Sequence, residues 1–388
     1  MKTRLYDVTL VTAAGPLPHC AIDLEDGRIA AVHETLPERT PEALDCGGTY
    51  AIPGFVDIHV HGGGGIEFMN ASPAEIRSAC AAHARHGTTT ILPTSFTASL
   101  ESTVEMIENV RLAQAETTEC TIGGVHLEGP FLSPRQAGAQ DPTTLIHPTE
   151  EAIDRLLSAW PEGIRMVGAA PELPGAMELG RLLRSKGICA SIAHSDADYA
   201  DCVEAMANGY RDVTHIYSGC SMVHRVNGYR FGGVVEAGLV EDGLTVQVIA
   251  DGKHLPAELL KLIFKCKGAD RIAVITDALF TAAADLPDGY VVTQSNGMDA
   301  ILEDGVMKMP DRQAFAGSIA TMDRQLRNMV QLAGVSLYDA VKMTSATPAK
   351  IVGLDHRKGH LKPGWDADIV LLDQNLQVKQ VYAMGKPV

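Results

Sequence analysis

From residue 55 to about residue 350, short apolar runs alternate with stretches in which apolar and small residues recur at helical spacing, and this alternation constrains the fold more than any other feature. Eight runs read as strands, at 55–61, 88–95, 121–128, 166–172, 189–194, 212–217, 245–251 and 271–277. Helical stretches between them include 74–86, 99–115, 150–160, 177–186, 199–208 and 256–267. Strands separated by helices build a parallel sheet covered on its outer face, and eight such units predict an α/β chain folded as a (β/α)8 TIM barrel. The segment slightly exceeds the roughly 250 residues usual for this architecture, which leaves room for an insertion such as 282–309.

The two ends differ in texture. Asp26-Gly27 separates Cys20-Ala21-Ile22-Asp23-Leu24 from Arg28-Ile29-Ala30-Ala31-Val32, a hairpin signal. Similar β-like runs return in Asp368-Ile369-Val370-Leu371-Leu372 and Val378-Lys379-Gln380-Val381-Tyr382. Residues 1–52 and 355–388 are therefore expected to form one small discontinuous β-sandwich domain, leaving 53–354 to the barrel. With 32 Lys and Arg against 48 Asp and Glu, the net charge of −16 argues against general affinity for nucleic acid or an anionic membrane. No apolar run reaches the roughly 20 residues of a membrane span, and residues 1–7 lack the apolar core of a signal peptide, so a cytoplasmic protein is expected. The 8 cysteines form no C-x-x-C pair and read as reduced, mostly buried small residues.

Catalytic groups in such a barrel project from the C-terminal ends of the strands. Here the first strand ends in His59-Val60-His61, the third in His126-Leu127-Glu128, the fifth in His194, the sixth in His215, the seventh in Asp251 and the eighth in Asp277. His59 and His61 are two apart, so both rings point to one face of a strand and can converge on one ion. Imidazoles with a carboxylate suit zinc or iron. A lone H-x-H pair arises by chance; the ordered set of ligand-type residues at strand ends is what indicates a metal site. Asp277 lies in Ala273-Val274-Ile275-Thr276-Asp277, too apolar a run for an uncompensated carboxylate. Beside a metal it could take a proton from water and return it to a leaving amine, whereas its plainer reading is a helix cap.

The glycines at 62–65 read as a loop folding close to the metal, and no serine sits in a G-x-S-x-G elbow. His19, His33, His83, His86, His356 and His360 read as surface or packing residues, and His126 as support behind the ligands.

Pro53-Gly54-Phe55-Val56-Asp57-Ile58-His59-Val60-His61-Gly62 resembles the opening of the amidohydrolase superfamily. Val125-His126-Leu127-Glu128-Gly129-Pro130-Phe131, Ala193-His194-Ser195, Thr214-His215-Ile216-Tyr217 and Thr276-Asp277-Ala278 are similar to motifs of its N-acetylglucosamine-6-phosphate deacetylase family. The resemblance implies that Glu128, His194 and His215 hold a principal divalent metal and that His59 and His61 match the positions of a second ion in members that have one. One or two divalent ions per chain are expected, zinc first among metals that suit the Glu/His donor set, with iron, manganese and cobalt as alternatives. Asp277 matches the catalytic acid/base and His254 a substrate-binding histidine that polarises the acetyl carbonyl. Gly138-Ala139-Gln140-Asp141-Pro142 stands where the family usually has Gly-Ala-His-Asn-Pro, so Gln140 takes the place of a substrate-contacting histidine. After His215 the loop Ile216-Tyr217-Ser218-Gly219-Cys220 departs from the family, with Ser218 and Gly219 expected at the substrate and Arg225 the best match for a phosphate-binding arginine that reaches across a homodimer.

The expected activity is hydrolysis of N-acetylglucosamine 6-phosphate to acetate and the free amine. Its rivals are a related amidohydrolase acting on another N-acyl amino sugar or an N-acyl amino acid, and a non-catalytic sugar-phosphate sensor.

Overall fold

In a computed structural model describing residues 2–294 and 297–388, eight parallel strands form a near-closed barrel. They are β1 (Phe55–Val60), β2 (Thr88–Ser95), β3 (Val125–Glu128), β4 (Ile164–Ala169), β5 (Cys189–Ile192), β6 (Tyr210–Val213), β7 (Thr245–Ile249) and β8 (Ile272–Ile275), paired in sequence order. A helix follows each: α1 (Pro73–Ala84), α2 (Leu100–Gln114), α3 (Glu150–Ala159), α4 (Ala176–Ser185), α5 (Tyr199–Ala207), α6 (Val234–Val240), α7 (Ala257–Lys267) and α8 (Met322–Gln331). Side-chain caps set several of the starts: Ser72 and Glu75 form a capping box on α1, and Ser99 and Thr149 accept backbone N–H groups at α2 and α3.

Alternation along the strands sorts the core. On β7, Val246 and Val248 pack toward the helical shell, while Ile249 joins Ile58, Leu92, Met166, Ala273 and Ile275 in a separate cluster. Gln247, between the two valines, is buried and bonds Asp212, which also accepts from the hydroxyls of Ser191 and Thr245 at 2.9 and 2.5 Å. β8 closes onto β1 where Val60 bridges Ala278 and the Asp277 N–H donates to the His59 carbonyl at 2.9 Å. Buried Asp57 ties the same strands by accepting the Thr276 hydroxyl at 2.5 Å, and burial pushes its carboxyl up to about 6.

Several expected elements end elsewhere. The strand expected at 121–128 is split into Thr121–Ile122 and β3 at Gly123-Gly124, where a side chain on Gly124 would meet the Gly163 carbonyl at 2.3 Å. Those expected to run to residues 194, 217 and 277 stop earlier, because the chain turns sharply: His194, His215 and Asp277 adopt φ of 41°, 24° and 46°; the one expected to reach 172 ends at Ala169. Helices α6 and α8 lie outside the expected stretches; the seven residues Val-Val-Glu-Ala-Gly-Leu-Val of α6 are too few to show a helical period. The expected 282–309 insertion contains strands Val291–Thr293, Asp299–Glu303 and Val306–Lys308, which with Phe315–Gly317 form a four-stranded antiparallel sheet.

Strands Lys2–Thr12, Gly15–Glu25, Arg28–His33, Ala43–Asp45 and Tyr50–Pro53 join Ile369–Leu372, Val378–Ala383 and Lys386–Pro387 in one eight-stranded sheet drawn from both chain ends. Glu25 pairs with Arg28 across Asp26-Gly27, both at positive φ, as a tight hairpin turn requires. Buried Lys358 fastens this sheet to the barrel, donating to Asp368 at 2.6 Å and to the Thr121 hydroxyl at 2.7 Å.

Candidate metal centre

The turn after each strand decides what its last residues can do. His59 and His61 come from β1 and the residue beyond it, Glu128 from the end of β3, and His194 and His215 from left-handed turns two residues past β5 and β6. Such backbone is uncommon for residues other than glycine and is held by its surroundings. At His194 the surroundings are visible: Glu172 accepts the Ser195 hydroxyl and the Asp196 N–H, each at 2.7 Å. Gly219 packs so closely that a side chain there would lie 2.6 Å from the His194 ring.

All five side chains are buried, and the four histidines converge on Glu128. Glu128 Oε1 lies 2.7 Å from His215 Nε2, 3.2 Å from His194 Nε2 and 3.4 Å from His59 Nε2, and Oε2 lies 3.3 Å from His61 Nε2. Two potential ion sites result, His59/His61/Glu128 and Glu128/His194/His215, sharing the carboxylate.

The far sides of the rings test whether a cation fits. Nδ1 faces a carbonyl oxygen in each case: Gln136 at 2.7 Å from His194, Ser218 at 3.1 Å from His215, Thr94 at 3.3 Å from His61, and the Gln247 side chain at 3.0 Å from His59. A carbonyl only accepts, so Nδ1 carries the proton of each neutral ring and Nε2 presents a lone pair. Four lone pairs directed at a carboxylate repel one another unless a cation lies among them, so the donor set fits a divalent ion. Without one, the site must hold protons. Burial opposes a charged His61 ring, but hydrogen bonds to Asp277 and Glu128 prevail and raise it to about 10. Burial likewise opposes ionisation of Glu128, yet the charge of His59 and bonds from His194 and His215 hold it well below the usual carboxylate range.

Asp277 stands beside this cluster, its Oδ1 3.2 Å from His61 Nε2 and 3.5 Å from His59 Nε2. It lines a cavity of about 230 Å³ with His61, Glu128, Gln140, His194, His215, Ser218, Gly219, His254 and Phe315. Asp251, expected among strand-end ligand types, is not one of the converging groups. It accepts Nδ1–H of His254 at 2.8 Å and the His254 and Lys253 backbone N–H groups, leaving His254 Nε2 for a ligand in the cavity.

Three further residues named from the sequence have defined surroundings. Gln140 lies in the cavity wall, but its amide is engaged with Glu128 at 2.8 Å and the Thr97 N–H at 2.9 Å. Arg225 is not in the cavity wall; it sits on an exposed hairpin of His224–Val226 and Tyr229–Phe231, with Val226 and Tyr229 also exposed. His83 is fully buried on α1, where its Nε2 bonds the Gly62 carbonyl at 2.8 Å. His126 stands behind the ligands as expected, its Nδ1 bonding the Ile58 carbonyl at 3.0 Å and its ring edge-on to His59.

Sequence reasoning passed over Glu172 as a turn support and Gln247 as an anchor of His59. The second left a signal, since a glutamine inside Thr245-Val246-Gln247-Val248-Ile249 must find a polar partner once buried.

Residues 50–388 match the amidohydrolase family. The chain is 31% identical over 394 residues to an N-acetylglucosamine-6-phosphate deacetylase of Lysinibacillus sphaericus, covering 98% of this chain and 96% of that protein. It is 32% identical over 383 residues to an N-acetylgalactosamine-6-phosphate deacetylase of Escherichia coli O157:H7, covering 97% of each. Its fold superposes with a TM-score of 0.91 on an N-acetyl-D-glucosamine-6-phosphate deacetylase mutant from Mycobacterium smegmatis in complex with N-acetyl-D-glucosamine-6-phosphate, at 30% identity, covering 100% of this chain and 99% of that one.

Proposed function

The chain belongs to the amidohydrolase family, and from that premise we propose that it is a metal-dependent deacetylase that hydrolyses N-acetylglucosamine 6-phosphate to glucosamine 6-phosphate and acetate. The observation that carries this reading is the convergence of four Nε2 atoms on one carboxylate, with Asp277 beside them, at the wall of a cavity.

Glu128, His194 and His215 would hold the principal ion and His59 with His61 a second, and the group when bound supplies Lewis-acid polarisation of the amide and a more acidic water. Zinc is the proposed metal, suited by three imidazole-and-carboxylate ligands. His254, oriented by Asp251, would polarise the amide carbonyl oxygen through Nε2 as negative charge develops there. Asp277 accepts a proton from the attacking water and delivers it to the departing nitrogen, so no covalent intermediate with the protein is needed. Ser218 and Gly219 line the sugar's side of the cavity.

Arg225 lies outside its own chain's cavity, and its exposed hairpin, which presents Val226, Tyr229 and Phe231, suits contact with a second copy. The proposed assembly is a homodimer in which Arg225 meets the substrate phosphate in the partner's cavity. Cytoplasmic residence is supported by eight unpaired cysteines, including exposed Cys266, which suit a reducing compartment; no described helix is long and apolar enough to cross a membrane.

The likeness to a galactosamine-type deacetylase favours a second reading, in which the C4 epimer is the substrate. Acetate release by metal-replete protein from N-acetylglucosamine 6-phosphate, its galactosamine epimer and unphosphorylated N-acetylglucosamine separates these. The highest kcat/KM is expected on the first; preference for the epimer supports the second reading, and no release from any of the three refutes both.

A further inference from the structure

We propose that Gln140 is a positioning residue that makes the two halves of the metal centre unequal. The side chain is 4% exposed and held at both ends. Its Oε1 accepts the Thr97 backbone N–H at 2.9 Å. That N–H can only donate, which settles which end of the amide is oxygen. Nε2 therefore faces Glu128 Oε2, 2.8 Å away, and donates to a carboxylate that can only accept. The clasp is doubled by the Thr97 hydroxyl, which accepts the Asp141 N–H at 3.2 Å.

The two oxygens of Glu128 are thereby made different. Oε1 lies nearest His215 and His194, at 2.7 and 3.2 Å, with His59 Nε2 farther off at 3.4 Å, and the clasp holds it in that direction. Oε2, 3.3 Å from His61 Nε2, already spends a lone pair on the amide. An ion at Glu128/His194/His215 meets an immobilised carboxylate with its Oε1 available. An ion at His59/His61/Glu128 must either take Oε2 in competition with the Gln140 N–H or share Oε1, 3.4 Å from His59 Nε2, with the ion already held there. Competition of this kind is worth one charge-assisted hydrogen bond, roughly 10- to 100-fold in affinity, so the His194/His215 half fills first and the His59/His61 half is the weaker one. An amide cannot give up its proton at any working pH, so the ranking is built in rather than switched. The ranking rests on the metal-hydrolase reading of the site and adds an order of filling to it.

The test is stepwise titration of chelator-stripped full-length protein with zinc by calorimetry, with metal content per chain measured after dialysis. Gln140→Met keeps the length of the side chain and removes both the donor and the acceptor. Gln140→Glu keeps an acceptor for Thr97 and replaces the donor by a charge. In wild type, two steps separated by roughly 10- to 100-fold are expected. In Gln140→Met the first step should weaken by about tenfold while the second tightens, so that the steps converge; in Gln140→Glu the second step should tighten further. Variants that keep the wild-type separation, or weaken both steps in parallel, overturn the assignment to Gln140. Should Gln140→Met fail to fold, the Gln140→Glu titration decides alone. Wild-type protein that takes up no ion overturns the metal-hydrolase reading itself.

Discussion

Acidification from pH 7 to pH 4 should cost this protein about 3 kcal/mol of stability through one side chain, His83. The ring is fully buried on α1, its Nε2 bonded to the Gly62 carbonyl, and its Nδ1 has no partner among the described residues. The packing is tight enough that a side chain on Gly63 would lie 2.4 Å from Nε2. Burial disfavours a second proton and pushes the ring from 6.5 to about 4. Above pH 6.5 the folded and unfolded chains are both neutral here and the full stability is present. Between 6.5 and about 4 the unfolded chain binds a proton that the folded chain refuses, so stability falls as pH falls, and below about 4 the loss is complete. At 1.36 kcal/mol per pH unit the gap amounts to about 3 kcal/mol. Gln at position 83 keeps an N–H for Gly62 but cannot titrate. Urea unfolding of wild type and His83→Gln at matched metal, from pH 7.5 to 4, isolates the histidine because every other group titrates alike in both. The wild type should lose about 3 kcal/mol more than the variant across that range; a difference under about 1 kcal/mol would refute the reasoning.

Asp277→Asn should retain its metal content, since Asp277 is not needed to complete either ligand set, and lose roughly 10²- to 10⁴-fold in kcat, as measured by acetate release. A rate within a few-fold of wild type would remove Asp277 from the proton-transfer role. Glu172→Ala deletes the acceptor of two hydrogen bonds that hold the His194 turn, so unfolding free energy should drop by about 2 kcal/mol and zinc affinity by about tenfold, read by denaturation and calorimetry. Lys358→Met leaves Asp368 buried without its lysine, while Asp366 keeps Arg28 and Arg357, and should lower stability by about 3 kcal/mol; unchanged unfolding would show that the sheet is fastened to the barrel by other contacts.

What the sequence determined by itself follows from local periodicity. Eight alternating units specify a barrel because each run must bury its apolar face, and Thr88–Ser95 was bounded correctly because its flanks carry a glycine turn and a helix cap. Ligand order was legible for the same reason: strand ends are readable, and chemistry collects there. The turns were less legible, since the left-handed backbone of His194, His215 and Asp277 is imposed by groups such as Glu172, which is 23 and 24 residues away from Ser195 and Asp196.

Only the closed barrel decided the rest. The proton on His59 is placed by Gln247, 188 residues distant, and the orientation of Glu128 by Gln140 and Thr97, drawn from different loops. Arg225 shows the converse, because its sequence neighbours cannot tell whether a hairpin folds over its own cavity or away from it. Hydrogen-bond geometry is set by distances of a few tenths of an ångström between groups that meet only when the strands close, whereas periodicity along the chain specifies only which face each residue takes.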